Sequence, residues 1–254
     1  MSSAIWTPAE LSSNAKPLRA EVWRAVEAQH RVSTAKITDT LAEQERLEQV
    51  IDKTKPLIPA ECGHLSYLLS TPFRYGAVYP KGSRFRQAGM TLGVFYAAEI
   101  PKTSIIEIAF YRVLFFAESP KTPWPKNAGE YTAFATQFET ETALDLSAAP
   151  LDRHSSLWKD PVDYSACQAL ADDARRAGIQ VIKYESVRSP QETNFAILTC
   201  RVFTKPDAVA RQTWRIHLSS SGVRIFCEMP QASFDLPPSI FDSDPRTKGM
   251  SWDR

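Results

Sequence analysis

The sequence predicts an α+β fold with a helical extension at its N-terminus, and three patterns carry that prediction. Gly93-Val94-Phe95-Tyr96-Ala97 is β-branched and aromatic between loop signals, as a short strand requires. Residues 104–116 follow behind Pro101 as a strongly apolar helix, with proline near its first turn. Further strand patterns recur at 179–184, 195–203, 214–218 and 223–228, the last two forming a hairpin about Ser221-Gly222.

Taken in order, Leu18, Val22 and Val26 recur at helical spacing, and Ile37, Leu41, Gln44, Leu47 and Ile51 repeat the pattern. Ser33-Thr34 offers an N-cap between these two helices, and Lys55-Pro56 closes the second. That second helix is charged outside its stripe (LAEQERLEQ). Such a face is more often simply solvated than a docking surface for a partner. In the helix over 104–116, Ile105, Ile106, Ile108, Ala109, Val113 and Leu114 cover most of the circumference, which predicts burial rather than an amphipathic helix. Pro120, Pro123 and Pro125 then open an extended loop. Residues 131–138 alternate aromatic and small side chains without choosing an element, whereas 139–146 have period two. A polar loop over 147–163 leads to a helix capped by Asp163 or Ser165, running to Arg176 and closed by Gly178. From Phe234 the chain is rich in Pro, Asp and Ser, and a poorly ordered tail is expected.

Composition narrows the classes of function. A length of 254 residues allows one large domain, or one with an appended helical part. A net charge of +1, from 30 basic and 29 acidic residues, gives no global field toward nucleic acid or membrane. Arg74, Lys81, Arg84 and Arg86 do cluster beside aromatic residues, which suits a small anionic ligand. Cys62, Cys167, Cys200 and Cys227 are scattered and form no CxxC pair, so neither zinc nor a disulfide framework is indicated. The four histidines fall in no metal-ligand or triad spacing, and no Walker or dinucleotide glycine loop occurs. Neither a signal peptide nor a membrane-length apolar window is found, and the chain reads as cytoplasmic.

Among the polar residues, Glu107 leads. It sits inside an apolar helical run, where a carboxylate is costly unless paired or lining a cleft. Arg84 lies in Gly82-Ser83-Arg84-Phe85, where small neighbours let backbone N–H groups approach a phosphate beside the guanidinium. Taken alone, a surface arginine is the commoner case, and Arg74-Tyr75 carries the same ambiguity. Tyr96 at the end of an apolar strand is more often a core tyrosine with a satisfied hydroxyl. Ser186 by itself says nothing.

The ordered series SRF, FYAAE and TSIIEIAFYR, followed far downstream by YESVR and NFAILTCRVF, resembles the RES domain. That family is named for an arginine, a glutamate and a serine, which fall here on Arg84, Glu107 and Ser186. Arg74-Tyr75 of PFRY and Tyr96 of FYAAE match two further positions of the pattern. The likeness covers residues 65–203, and residues 18–55 resemble the N-terminal extension of a longer subfamily. Where some members carry an Asn-Pro pair near the last strand, this chain reads Thr199-Cys200-Arg201.

The resemblance implies a mixed-sheet core similar to that of ADP-ribosyltransferases. Together with the composition of the C-terminal stretch, it divides the chain into a helical extension over 1–60, a catalytic domain over 61–233 and a disordered tail over 234–254. It also implies a toxin of a bacterial toxin–antitoxin pair that depletes NAD by breaking the nicotinamide–ribose bond, with phosphate or water as acceptor. NAD is then substrate, inorganic phosphate a co-substrate, and no prosthetic group or metal is called for. Nicotinamide is already a cationic leaving group, so one carboxylate can serve where ordinary glycosidases use two. On this reading Glu107 binds the ribose 2′-hydroxyl and stabilises charge at C1′. Arg84 and Arg74 hold the pyrophosphate or an attacking phosphate, Tyr75 and Tyr96 stack on nicotinamide or exclude water, and Ser186 supplies a hydroxyl. The implied partner is an Xre-type antitoxin in a hetero-oligomer. It would place an acidic segment or C-terminal carboxylate in a cleft formed by Arg74, Lys81, Arg84, Arg86 and Arg188, and would carry any contact with DNA. The alternatives are ADP-ribosyl transfer to a macromolecule, or a non-catalytic interaction protein built on the charged helix of 33–52.

Overall fold

The computed structural model describes residues 5–28, 34, 37–74 and 78–254. Eight strands among them form one mixed sheet: β1 Lys16–Glu27, β2 Phe95–Ala98, β3 Gly129–Asp145, β4 Val181–Glu185, β5 Thr193–Ile197, β6 Ala210–Ser219, β7 Gly222–Cys227 and β8 Ala232–Leu236. Their order is β1-β2-β5-β4-β3-β6-β7-β8, and β1 also pairs with β3, so the first five strands close into a ring. Every described pairing is antiparallel except β3 with β4. The main helices are α1 Pro8–Ser13, α2 Leu41–Thr54, α3 Pro101–Glu118 and α4 Ser165–Arg176. The chain is an α+β protein with a mixed sheet.

The first correction falls on residues 18–26, which form a strand and not a helix. Leu18, Val22 and Val26 are four apart, and a spacing of four satisfies a period of two as well as one near 3.6. The intervening positions decide. Leu18, Ala20, Val22 and Val26 pack against the cluster formed by Phe95, Phe134, Val181 and Ile197, whereas Trp23 and Ala25 pack against the cluster that holds α3. β1 thus belongs to the sheet, running antiparallel to β3 from Leu18↔Thr140 to Glu27↔Tyr131. The second N-terminal helix does form, as α2. Its expected stripe is only partly covered: Leu41 is exposed, as is Ile37 ahead of the helix, while Gln44, Leu47 and Ile51 are half-buried. The Ser33 half of its expected cap lies outside the described residues.

Residues 131–146, ambiguous in their first half, are almost entirely one strand, β3. The tail expected from Phe234 onward is also corrected. Phe234 belongs to β8, and Phe241, Asp244 and Thr247 are buried. The Trp252 ring lies 5.4 Å from both Trp124 and Phe241, so the aromatic residues decide what the Pro and Asp content obscured. A third correction concerns cysteine: Cys62 and Cys200 are joined in a disulfide across 138 residues. Their proximity arises because the turns at Ala60–Cys62 and Cys200–Val202 meet, a contact that scattered cysteines do not announce. Among the described residues no helix is long and apolar enough to cross a membrane.

α3 forms as predicted, with Pro101 at its first turn. It is less enclosed than its composition suggests. Tyr111 and Phe115 are half exposed, and Glu107 and Ile108 are only partly buried, so these side chains share one open face at i, i+4 spacing.

Candidate functional site

A cleft of about 270 Å³ opens where α3, β1, β2, β5 and the loops around residues 83, 164 and 187 meet. That volume lies near the lower end for small-molecule sites. Its lining includes Arg24, Ser83, Arg84, Tyr96, Glu107, Tyr111, Tyr164, Tyr184, Arg188 and Asn194.

Glu107 is the acid of this cleft. Ser186 Oγ donates to Glu107 Oε1 at 2.8 Å, and Asn194 Nδ2 donates to the same oxygen at 2.8 Å. Ser186 Oγ also accepts the backbone N–H groups of Arg188 at 3.2 Å and Ser189 at 3.0 Å. Two donors facing the hydroxyl oxygen leave its single proton for Glu107, so the direction of that bond is fixed. Oε2 has no hydrogen-bond partner among the described residues. The carboxylate is therefore anchored by one oxygen, with the other available to a ligand.

Ser186 lies in the turn after β4 and is fully buried, as its role requires. Asn194 comes from β5. Sequence reasoning passed over it within NFAIL, although asparagine is disfavoured in strands and a buried one calls for partners. Its Oδ1 is buried without a partner.

Arg84 reaches the cleft from the turn after Gly82, whose φ of +66° suits glycine; a side chain there would lie 2.9 Å from the Arg86 carbonyl oxygen. The guanidinium donates to the Trp158 carbonyl at 2.6 Å and the Asp160 carbonyl at 2.9 Å, and sits 4.7 Å from the Tyr164 ring centre. No carboxylate neutralises it among the described residues. Tyr96 accepts the Phe85 N–H at 2.9 Å and shares a 2.8 Å hydrogen bond with Ser83, so its hydroxyl braces the same turn. Burial pushes Tyr96 up to about 12.

Arg24 is the residue that misreading β1 concealed. It donates to the Tyr96 carbonyl at 2.9 Å and stands 5.0 Å from the Phe95 ring centre, while its buried Nε has no partner. Burial lowers its pKa to about 10, and no described carboxylate offsets its charge. A buried cation without a counter-ion is costly, which makes Arg24 a candidate to meet an anion. Only recognition of the period of two in 18–26 would have turned it toward the cleft.

Several expected residues lie elsewhere. Arg74 is not in the lining; it donates to the Pro56 carbonyl at 2.6 Å, which ties down the loop before it. Tyr75 falls outside the described residues. Arg86 stacks on Tyr79 at 4.3 Å and bonds to Thr91, and Lys81 is exposed, so neither enters the cleft. Of the expected cations, Arg84 and Arg188 line it.

An α+β chain with a single anchored carboxylate among cleft arginines matches the model of the RES domain over residues 58–219. The chain belongs to the RES domain family. Among curated proteins, none matches it. Among solved structures it is similar to a chain in the crystal structure of the M. tuberculosis MbcT–MbcA toxin–antitoxin complex, at 12% identity and a TM-score of 0.44, covering 93% of this chain and 94% of that one.

Proposed function

We propose that the protein is a toxin that depletes NAD by cleaving the nicotinamide–ribose bond. The observation that carries this reading is Glu107, held at Oε1 by Ser186 and Asn194 while Oε2 stays free in a cleft with two arginines, Arg24 and Arg84, that no described carboxylate neutralises. Membership of the RES family supports it.

In the proposed reaction the C1′–N bond breaks and its electron pair leaves with nicotinamide, which departs neutral and needs no proton. Positive charge develops on the ribose ring, and Oε2 lies ready to take a hydrogen bond from the 2′-hydroxyl and to stabilise that charge. An oxygen of phosphate or water then bonds to C1′, giving ADP-ribose phosphorylated at that carbon, or ADP-ribose once the attacking water has passed a proton to solvent. Arg24 and Arg84 offer the positive field for the substrate's phosphates. Tyr96 and Tyr184 supply apolar walls that exclude bulk water. An antitoxin partner, Xre-type as the family resemblance implies, would hold the cleft closed to NAD.

The test is nicotinamide release from NAD by purified protein, with and without inorganic phosphate. Wild type should turn over, and Glu107→Gln should lose about 10²–10³-fold in kcat while remaining folded. Product identity separates phosphorolysis from hydrolysis, and label retained on a macromolecule would indicate ADP-ribosyl transfer instead. A folded, partner-free protein that releases no nicotinamide would sink the proposal.

A further inference from the structure

Arg188 lines the cleft, yet it is held by a residue far down the chain. Its Nη1 lies 2.7 Å from Asp244 Oδ2, and both side chains are almost fully buried. Its guanidinium sits 3.7 Å from the ring centre of Phe110, less than one turn after Glu107 on α3. Asp244 also accepts Arg246 through both oxygens: Nη2 at 2.9 Å, Nε at 3.0 Å and the backbone N–H at 2.8 Å. A carboxylate with four donors cannot swing away to release Arg188. The same segment is pinned independently, because Arg254 donates to the Phe116, Ser119 and Thr122 carbonyls at the end of α3. Asp244, Arg246 and Arg254 lie beyond position 219, outside the part of the chain that matches the family model.

We infer that residues 238–254 are a working part of the cleft, with Asp244 the positioning residue that holds Arg188 toward an anionic group of the ligand. The inference rests on the anion-binding reading given above, and it names a phosphate or pyrophosphate group as what Arg188 meets. The guanidinium has five N–H bonds, and among the described residues it finds Asp244 at 2.7 Å and a long contact to the Pro161 carbonyl at 3.4 Å. It retains donors for a ligand, in a plane set by Phe110 and Asp244. An autoinhibitory pairing, in which Asp244 mimics the ligand, fits less well. The ion pair is buried and cross-linked by Arg246, and breaking such a pair strands a buried charge.

A double-mutant cycle on Asp244→Asn and Arg188→Ala tests this, read in two ways. Calorimetry measures the Kd of inorganic pyrophosphate, which needs no turnover, and kinetics measures KM and kcat for NAD. Each single change should raise Kd and KM about tenfold with kcat little altered, and the double variant should be no worse than Arg188→Ala alone. Effects that multiply would assign Asp244 a purely structural role and overturn the inference, as would tighter binding or faster turnover in Asp244→Asn. Wild type that binds no pyrophosphate would overturn it too. Pyrophosphate results as expected without NAD turnover would leave the inference standing and reject the NAD reading alone. If Asp244→Asn does not fold, Asp244→Glu keeps the charge but shifts the carboxylate by one methylene. It should raise Kd likewise, and an unchanged Kd would refute the positioning role.

Discussion

At Glu107 two donors converge on one carboxylate oxygen, and the consequences differ for each. Ser186→Ala removes a donor and also strips the Arg188 and Ser189 N–H groups of their acceptor. We expect it to lower kcat for nicotinamide release about tenfold and to add nothing in a Glu107→Gln background. Equal losses in both backgrounds would mean Ser186 acts elsewhere. Glu107 and Ser186 were legible in the sequence for different reasons. The acid stood out physically as a charge in an apolar helix, whereas the serine was visible only through its place in a family pattern. Asn194 and Arg24 were not read. Each is a polar residue in a strand, and which face of a strand meets a cleft is settled by partners distant in sequence.

Among the elements, β1 sets the sharpest trade between folding and chemistry. It presents Arg24 on the same face as Val22, with no described carboxylate to balance it. Arg24→Met keeps the length and removes a buried charge, so urea unfolding should show equal or greater stability. The KM for NAD should nonetheless rise, by about tenfold or more if a phosphate contact is lost. A destabilised variant with unchanged KM would make Arg24 a structural residue. The helix α3 and the hairpin β6–β7 were predictable because local signals suffice: proline at the first turn of one, and Ser221-Gly222 in the other, where Gly222 takes a φ of +113°. β1 was not, because a spacing of four is common to both periodicities.

For the whole molecule, alkaline pH and the disulfide each offer a measurable edge. Tyr96 is pushed up to about 12 and Tyr184 well above 10, both by burial first. Their stabilisation is complete below pH 10 and is lost as pH rises, because the unfolded chain ionises while the fold keeps its protons. Arg24, lowered to about 10, works in the opposite sense and roughly offsets Tyr96. Tyr184, together with Tyr111 and a Cys167 thiol that burial pushes up to about 11, then decides the sign, so stability should fall between pH 9 and pH 11, more steeply in Arg24→Met. Urea midpoints at the two pH values read this directly, and a flat profile would count against burial of these three groups. Replacing both Cys62 and Cys200 by alanine should cost about 2–4 kcal/mol of unfolding free energy. Neither cysteine lines the cleft, so NAD turnover at low temperature should persist.

The ring of strands also sets a timetable. β1 is synthesised early, but its partner positions on β3 appear more than a hundred residues later. At about 5–20 residues per second, that strand waits roughly 5–20 s on the ribosome without its main neighbour. The cleft then needs Ser186 and Asn194, and its last contributor, Asp244, comes later still. On the reading proposed above, a nascent chain reaches its full affinity for substrate only when nearly all of it has emerged. Stalling translation with residue 244 still inside the ribosomal exit tunnel, and again on a C-terminal linker long enough to release it, should give the lower KM only in the second state.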